Sequence, residues 1–137
     1  MSVSEDDRFA EARRSLRIAD EDVRVAKASL SLEEPALGAA AYHCQQAAEK
    51  LMKGLLILAG QSFRKTHDLD ELAEAAQAHY PSLGIHLDAC RRFTHWGLAG
   101  RYPAVEDDAV ALPTSEEVAT AARQIEAFAV AIASLRR

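Results

Sequence analysis

A chain of 137 residues can build one domain with a real core and is too short for two ordinary ones. Sixteen Lys and Arg against twenty-one Asp and Glu leave a formal charge of −5, and 49% of the residues are hydrophobic. That balance argues against disorder and against a protein that coats nucleic acid through a broad basic surface, and it leaves room for a local anion site.

The first residues, Met1-Ser-Val-Ser-Glu-Asp-Asp7, carry neither the basic start nor the apolar run of a signal peptide, and the longest apolar stretch is Leu55-Leu-Ile-Leu-Ala59. A cytoplasmic location is expected. Ser4, with Asp7 three residues on, resembles a capping box. Phe9, Ala12, Leu16, Ala19, Val23, Ala26 and Leu30 then follow at helical spacing and predict a long first helix with one apolar stripe. Arg13, Arg14, Arg17, Asp20, Glu21, Asp22 and Arg24 form its mixed-sign, solvated remainder.

After the break at Ser31–Pro35 a second helix is predicted from about Leu37 to Ala59, closed by Gly60. At about 100° per residue, Cys44, Ala47, Ala48, Leu51, Leu55 and Leu58 fall on one side, the core side. Tyr42, Gln45, Gln46, Glu49, Lys50 and Lys53 share the other, with His43 at its edge. Leu56 and Ile57 interrupt that polar side, so this end should be covered by another element or a second subunit.

A third helix should start near Thr66 or Asp68, either of which can cap it, carry Leu69, Leu72, Ala73 and Ala76 inward, and end at Pro81. Ser82 opens a fourth, with Leu83, Leu87, Cys90 and Thr94 in register as far as Trp96-Gly97. Seventeen residues from Gly97 to Pro113 hold two Gly, two Pro and the acidic run Glu106-Asp-Asp108, a long loop of the kind that carries function or moves. Thr114-Ser-Glu-Glu117 is a capping box for a last helix with Val118, Ala121, Ala122, Ile125, Ala129 and Ile132 on its apolar side. The expected architecture is all-α over residues 1–137, with no boundary for a second domain.

The charge is unevenly placed. Residues 41–101 hold seven Lys or Arg and six acids, net +1, while the flanks hold nine and fifteen, net −6. An anionic ligand is best tolerated in the middle, where Lys50, Lys53, Arg64-Lys65, Arg91-Arg92 and Arg101 could converge on phosphates, the alternative being separate solvated charges. Phosphate-loop, dinucleotide, α/β-hydrolase and zincin signatures are missing. The five histidines (43, 67, 79, 86 and 95) have no metal-ligand spacing, and Cys44 and Cys90 read as buried thiols. Neither metal nor cofactor is expected.

Three stretches in order carry a family resemblance: Tyr42-His-Cys-Gln-Gln-Ala-Ala-Glu-Lys-Leu-Met-Lys-Gly-Leu-Leu56, then Thr66-His-Asp-Leu69, then Arg101-Tyr-Pro103. Together they resemble the HEPN family over about residues 8–135. The resemblance implies an up-and-down helical bundle of four main helices plus a shorter one, commonly a homodimer. It also implies a small prokaryotic protein paired with a minimal nucleotidyltransferase, often in a toxin–antitoxin pair, and a nucleotide-binding role. The matching positions are Tyr42, Gln45, Gln46, Glu49, Lys50, Lys53, His67, Asp68, Arg101 and Tyr102. There the lysines suit a phosphate, Gln and Glu a base or ribose, and Tyr102 a stacking contact. The other reading of Gln46, Glu49 and His67 is a buried polar network that fixes helix register.

Many members are metal-independent ribonucleases whose motif is an Arg followed, after four to six residues, by a His. That spacing is absent: three residues separate Arg91 from His95, two separate Arg92 from His95, and two separate Arg64 from His67. Arg91 and His95, at i and i+4 on a helix, can still share a face, so a dimeric ribonuclease built on Arg91, Arg92 and His95 stands as the alternative to a non-catalytic binding module. A purely structural dimer using Leu56 and Ile57 is a third. Since 137 residues make one such unit, a nucleotidyltransferase would be another chain.

Overall fold

Two helices carry small residues at seven-residue spacing, Ala12, Ala19 and Ala26 on the first and Ala40, Ala47 and Gly54 on the second, and these two helices make the most extensive pairing among the described residues. The computed structural model describes residues 4–97 and 112–135. α1 runs Glu5–Leu30 and α2 Leu37–Leu58. The five alanines of the seam are buried, and a Cβ added at Gly54 would lie 3.3 Å from the Ser15 Cβ. The same added Cβ would lie 3.8 Å from the Ala12 carbonyl oxygen, so the α1 backbone itself passes close to α2 at this point.

Local signals set the ends. Ser4 Oγ accepts from the Asp7 backbone N–H at the start of α1. α2 closes with Gly60 at φ 69°, where Gly60 N–H donates to Ile57 O and Gln61 N–H to Leu56 O. That is the paired 5→2 and 6→1 bonding for which glycine is the favoured residue. α3 (Leu69–His79) is capped by Asp68, whose Oδ1 accepts from Asp70 and Glu71 N–H; this decides between the two candidate caps. α5 (Ser115–Ala133) has the full reciprocal capping box of Thr114 and Glu117.

Between α3 and α5 the chain departs from its periodicity. A 3₁₀ turn at Pro81–Leu83 leads into α4 (Gly84–Arg91), and a second 3₁₀ stretch follows at Arg92–Gly97. Together these make one continuous piece, the fourth main element of the bundle, with α3 as the shorter helix. Among the described residues there is no strand, and no helix is long and apolar enough to cross a membrane.

α2 sits in the middle. It packs on α1, α3, α5 and the 3₁₀ stretch, so its surface is covered nearly all round. Among the described residues Phe93 and Phe128 are the largest fully buried side chains, and they share one core with Leu51, Met52, Leu55 and Leu56. Leu56 is therefore core, covered by the chain's own helices, and the structural dimer that would use it as an exposed contact loses that contact; Ile57 is half-buried.

Candidate functional site

The polar side of α2 is not a solvated face. Gln45 and Glu49, one turn apart, are each only 1% exposed. A buried carboxylate is costly unless its oxygens find donors, and both do. Glu49 Oε1 is 2.8 Å from His67 Nδ1 and 3.2 Å from Gln45 Nε2, while Oε2 is 2.9 Å from Lys53 Nζ. Gln46 Nε2 donates in turn to Gln45 Oε1 at 2.8 Å. Burial pushes the Glu49 carboxyl up, but the bonds from His67, Lys53 and Gln45 and the charge of Lys53 outweigh it and hold the group below the ordinary carboxylate range.

An ionised carboxylate only accepts, so His67 Nδ1 must donate. The imidazole is thereby held by one nitrogen from behind, and its side chain is 81% exposed. The backbone that presents it is pinned on both sides: Asp68 N–H donates to Thr66 Oγ1, and Leu69 N–H to Thr94 Oγ1 at 3.0 Å. Lys50 and Lys53 lie half-buried on the outer sector of α2, with Lys53 Nζ also 6.0 Å from the Phe63 ring centre.

The site residues expected from sequence thus divide. Glu49, Gln45, Gln46, Lys53 and His67 form one connected network. Gln45 and Glu49 serve it from inside and have no surface to offer a ligand, and Asp68 caps α3 through its Oδ1. Tyr42 lies half-buried near the start of α2, its ring edge-on to His43 at 5.2 Å. Arg101 and Tyr102 lie outside the described residues. Of the wider set of cations, Arg64 pairs with Glu71 and Arg92 donates to Gln124.

The alternative site is rearranged. Because the chain tightens to 3₁₀ at Arg92, four steps carry His95 about 120° from Arg91, against about 40° in a continuous α-helix. Arg91 is also fully engaged. Its guanidinium donates to Asp88 at 3.0 Å, Glu74 at 3.0 Å, Gln77 at 3.1 Å and Asp70 at 3.4 Å. Burial alone would lower its pKa; these partners reverse that and raise it. Arg91, Arg92 and His95 do line one hollow of about 440 Å³, shared with Asp68, Asp70 and Asp88.

Sequence reasoning passed over two arrangements. Asp70, Glu74 and Gln77 stand at i, i+4 and i+7, which places three acceptors on one helix face opposite an arginine; that spacing was readable. Asp22, assigned above to the solvated side of α1, is instead half-buried with its Oδ1 2.8 Å from His43 Nδ1, a pairing between helices that no local pattern signals. Both cysteines are buried free thiols, pushed up to about 12, mainly by burial. Among the described residues no group of three His, Cys, Asp or Glu could hold a metal ion.

Helical connectivity around a central α2, together with a polar seam joining α2 to the segment before α3, defines an all-α bundle with one internal charged network. The HEPN domain model matches residues 12–133, and the chain belongs to the HEPN family. Neither a curated relative nor a solved structure matched it.

Proposed function

We propose that this chain is a non-catalytic HEPN module that binds a nucleotide and a minimal nucleotidyltransferase partner through the outer sector of α2 and the adjoining His67, as a cytoplasmic homodimer within a toxin–antitoxin pair. The observation that carries the non-catalytic half is the cage around Arg91. A guanidinium already satisfied by three carboxylates and an amide is poorly placed to stabilise a phosphorane-like charge, and those carboxylates repel an approaching phosphate. The binding half is supported by Lys50, Lys53 and the exposed His67, in the one part of the chain where the net charge is not acidic. Ile18 and Val25, seven residues apart and exposed on α1, support a homodimer contact in place of Leu56.

Titration of the purified chain with ATP tests the ligand half. Saturable binding that weakens about tenfold in Lys50→Ala, the loss of roughly one charge-assisted contact, is expected. No saturable binding to any nucleotide rejects it, and copurification with a nucleotidyltransferase encoded beside this gene tests the partner half.

The ribonuclease reading keeps one observation in its favour, the shared hollow of Arg91, Arg92 and His95. Cleavage of unstructured RNA by the native chain that disappears in His95→Ala would establish it.

A further inference from the structure

The histidines of the described chain are not equivalent. Two have carboxylate partners, His43 with Asp22 and His67 with Glu49. His43 is half-buried against Asp22 of α1, and His86 is half-buried and stacked on Phe128 at 5.9 Å. His79 and His95 are exposed. Only His67 combines an open ring with an orienting acid that is itself fixed by further donors.

We propose that His67 is a phosphoryl-acceptor site, taking a phosphoryl group onto Nε2 from a small activated donor such as an acyl phosphate or a phosphoramidate. With Glu49 ionised, the neutral form of the ring carries its proton on Nδ1 and leaves its lone pair on Nε2, the nitrogen that Glu49 does not hold. Imidazole is a competent nucleophile when an adjacent group fixes its tautomer and orientation. The lone pair attacks phosphorus, the N–P bond forms as the bond to the leaving group breaks, and that group departs with its electron pair. The ring becomes cationic while its Nδ1 proton stays in the bond to Glu49, whose negative charge now offsets it. No proton has to leave the site. Lys53 and Gln45 keep Glu49 ionised and aligned, which makes Glu49 a positioning residue and His67 the reacting one.

The reaction needs no nucleotide, so it stands or falls apart from the ligand proposed above. The full chain is incubated with phosphoramidate and the modified histidines are located by peptide mapping and ³¹P NMR. His67 is expected to react at Nε2 roughly tenfold faster than His79 or His95 in the same molecule, the lower end of what orienting partners of a functional imidazole contribute. Equal rates at the three exposed histidines, or phosphate on Nδ1, overturn the proposal. Glu49→Gln should bring His67 down to the rate of His79. Should that variant lose its helical fold, the ring tautomer of the native chain decides, read by ¹⁵N NMR: a proton on Nδ1 is expected, and a neutral ring protonated on Nε2 overturns it.

Discussion

The clusters around Glu49 and Arg91 are inversions of one another. In the first, a single buried anion is surrounded by donors; in the second, a single cation is surrounded by acceptors. Their consequences differ because their surroundings do. Glu49 is 1% exposed, so its donors replace water that cannot reach it, whereas the carboxylates around Arg91 are 62–77% exposed and keep most of their hydration. The first cluster therefore fixes how α2 meets the segment before α3, and the second trims a surface while occupying an arginine that could otherwise act.

The sharpest way to break this contrast is to delete each centre. Glu49→Ala removes the anion, takes the acceptor away from Gln45 Nε2 and Lys53 Nζ and opens a small void; a loss of about 3 kcal/mol in a urea unfolding curve is expected. Arg91→Ala should cost about 1 kcal/mol, since each of its partners returns to water. Equal losses would mean that the exposed carboxylates are more ordered than their accessibility implies.

Acid provides a graded version. The folded Glu49 carboxyl lies below its unfolded value, so its contribution is present above the unfolded value and is lost as pH falls through the folded one. Native chain and Glu49→Gln should therefore converge in stability as pH falls below the ordinary Glu value of about 4.3, and a gap that does not narrow on acidification would show that Glu49 is not held as the carboxylate.

Smaller effects sharpen the picture. Cys44 and Cys90 should be alkylated slowly in the folded chain and rapidly in urea, because burial keeps both as thiols at neutral pH. Lys50→Ala should shift stability by less than about 0.5 kcal/mol, which makes it the cleanest probe of ligand binding.

How much of this could be read beforehand follows a physical line. Caps and stripes were legible because they are local: Ser4, Gly60, Thr114 and the alanines of α1 and α2 act within one or two turns. Helical periodicity placed Gln45 and Glu49 on one side of α2 but could not say whether that side was covered, since covering depends on the elements that pack around α2 and the His67 bond reaches back from eighteen residues away. Phe93 and Phe128 were missed as core, the first because the chain tightens to 3₁₀ at Arg92 and the register counted from α4 no longer holds. The same tightening separated Arg91 from His95.

The seam of alanines and glycine between α1 and α2 has a mechanical side. Side chains that stop at Cβ have no rotamer to change, so a methyl added at Gly54, 3.3 Å from Ser15 Cβ, can be accommodated only by a small shift of the backbone that carries one or the other. α2 carries Glu49 and Lys53, and α1 carries the Asp22 that holds His43. The helix that presents the charged network is thus seated like a shaft in a close-fitting bearing, and the fit at Gly54 helps to set where Glu49 and Lys53 stand.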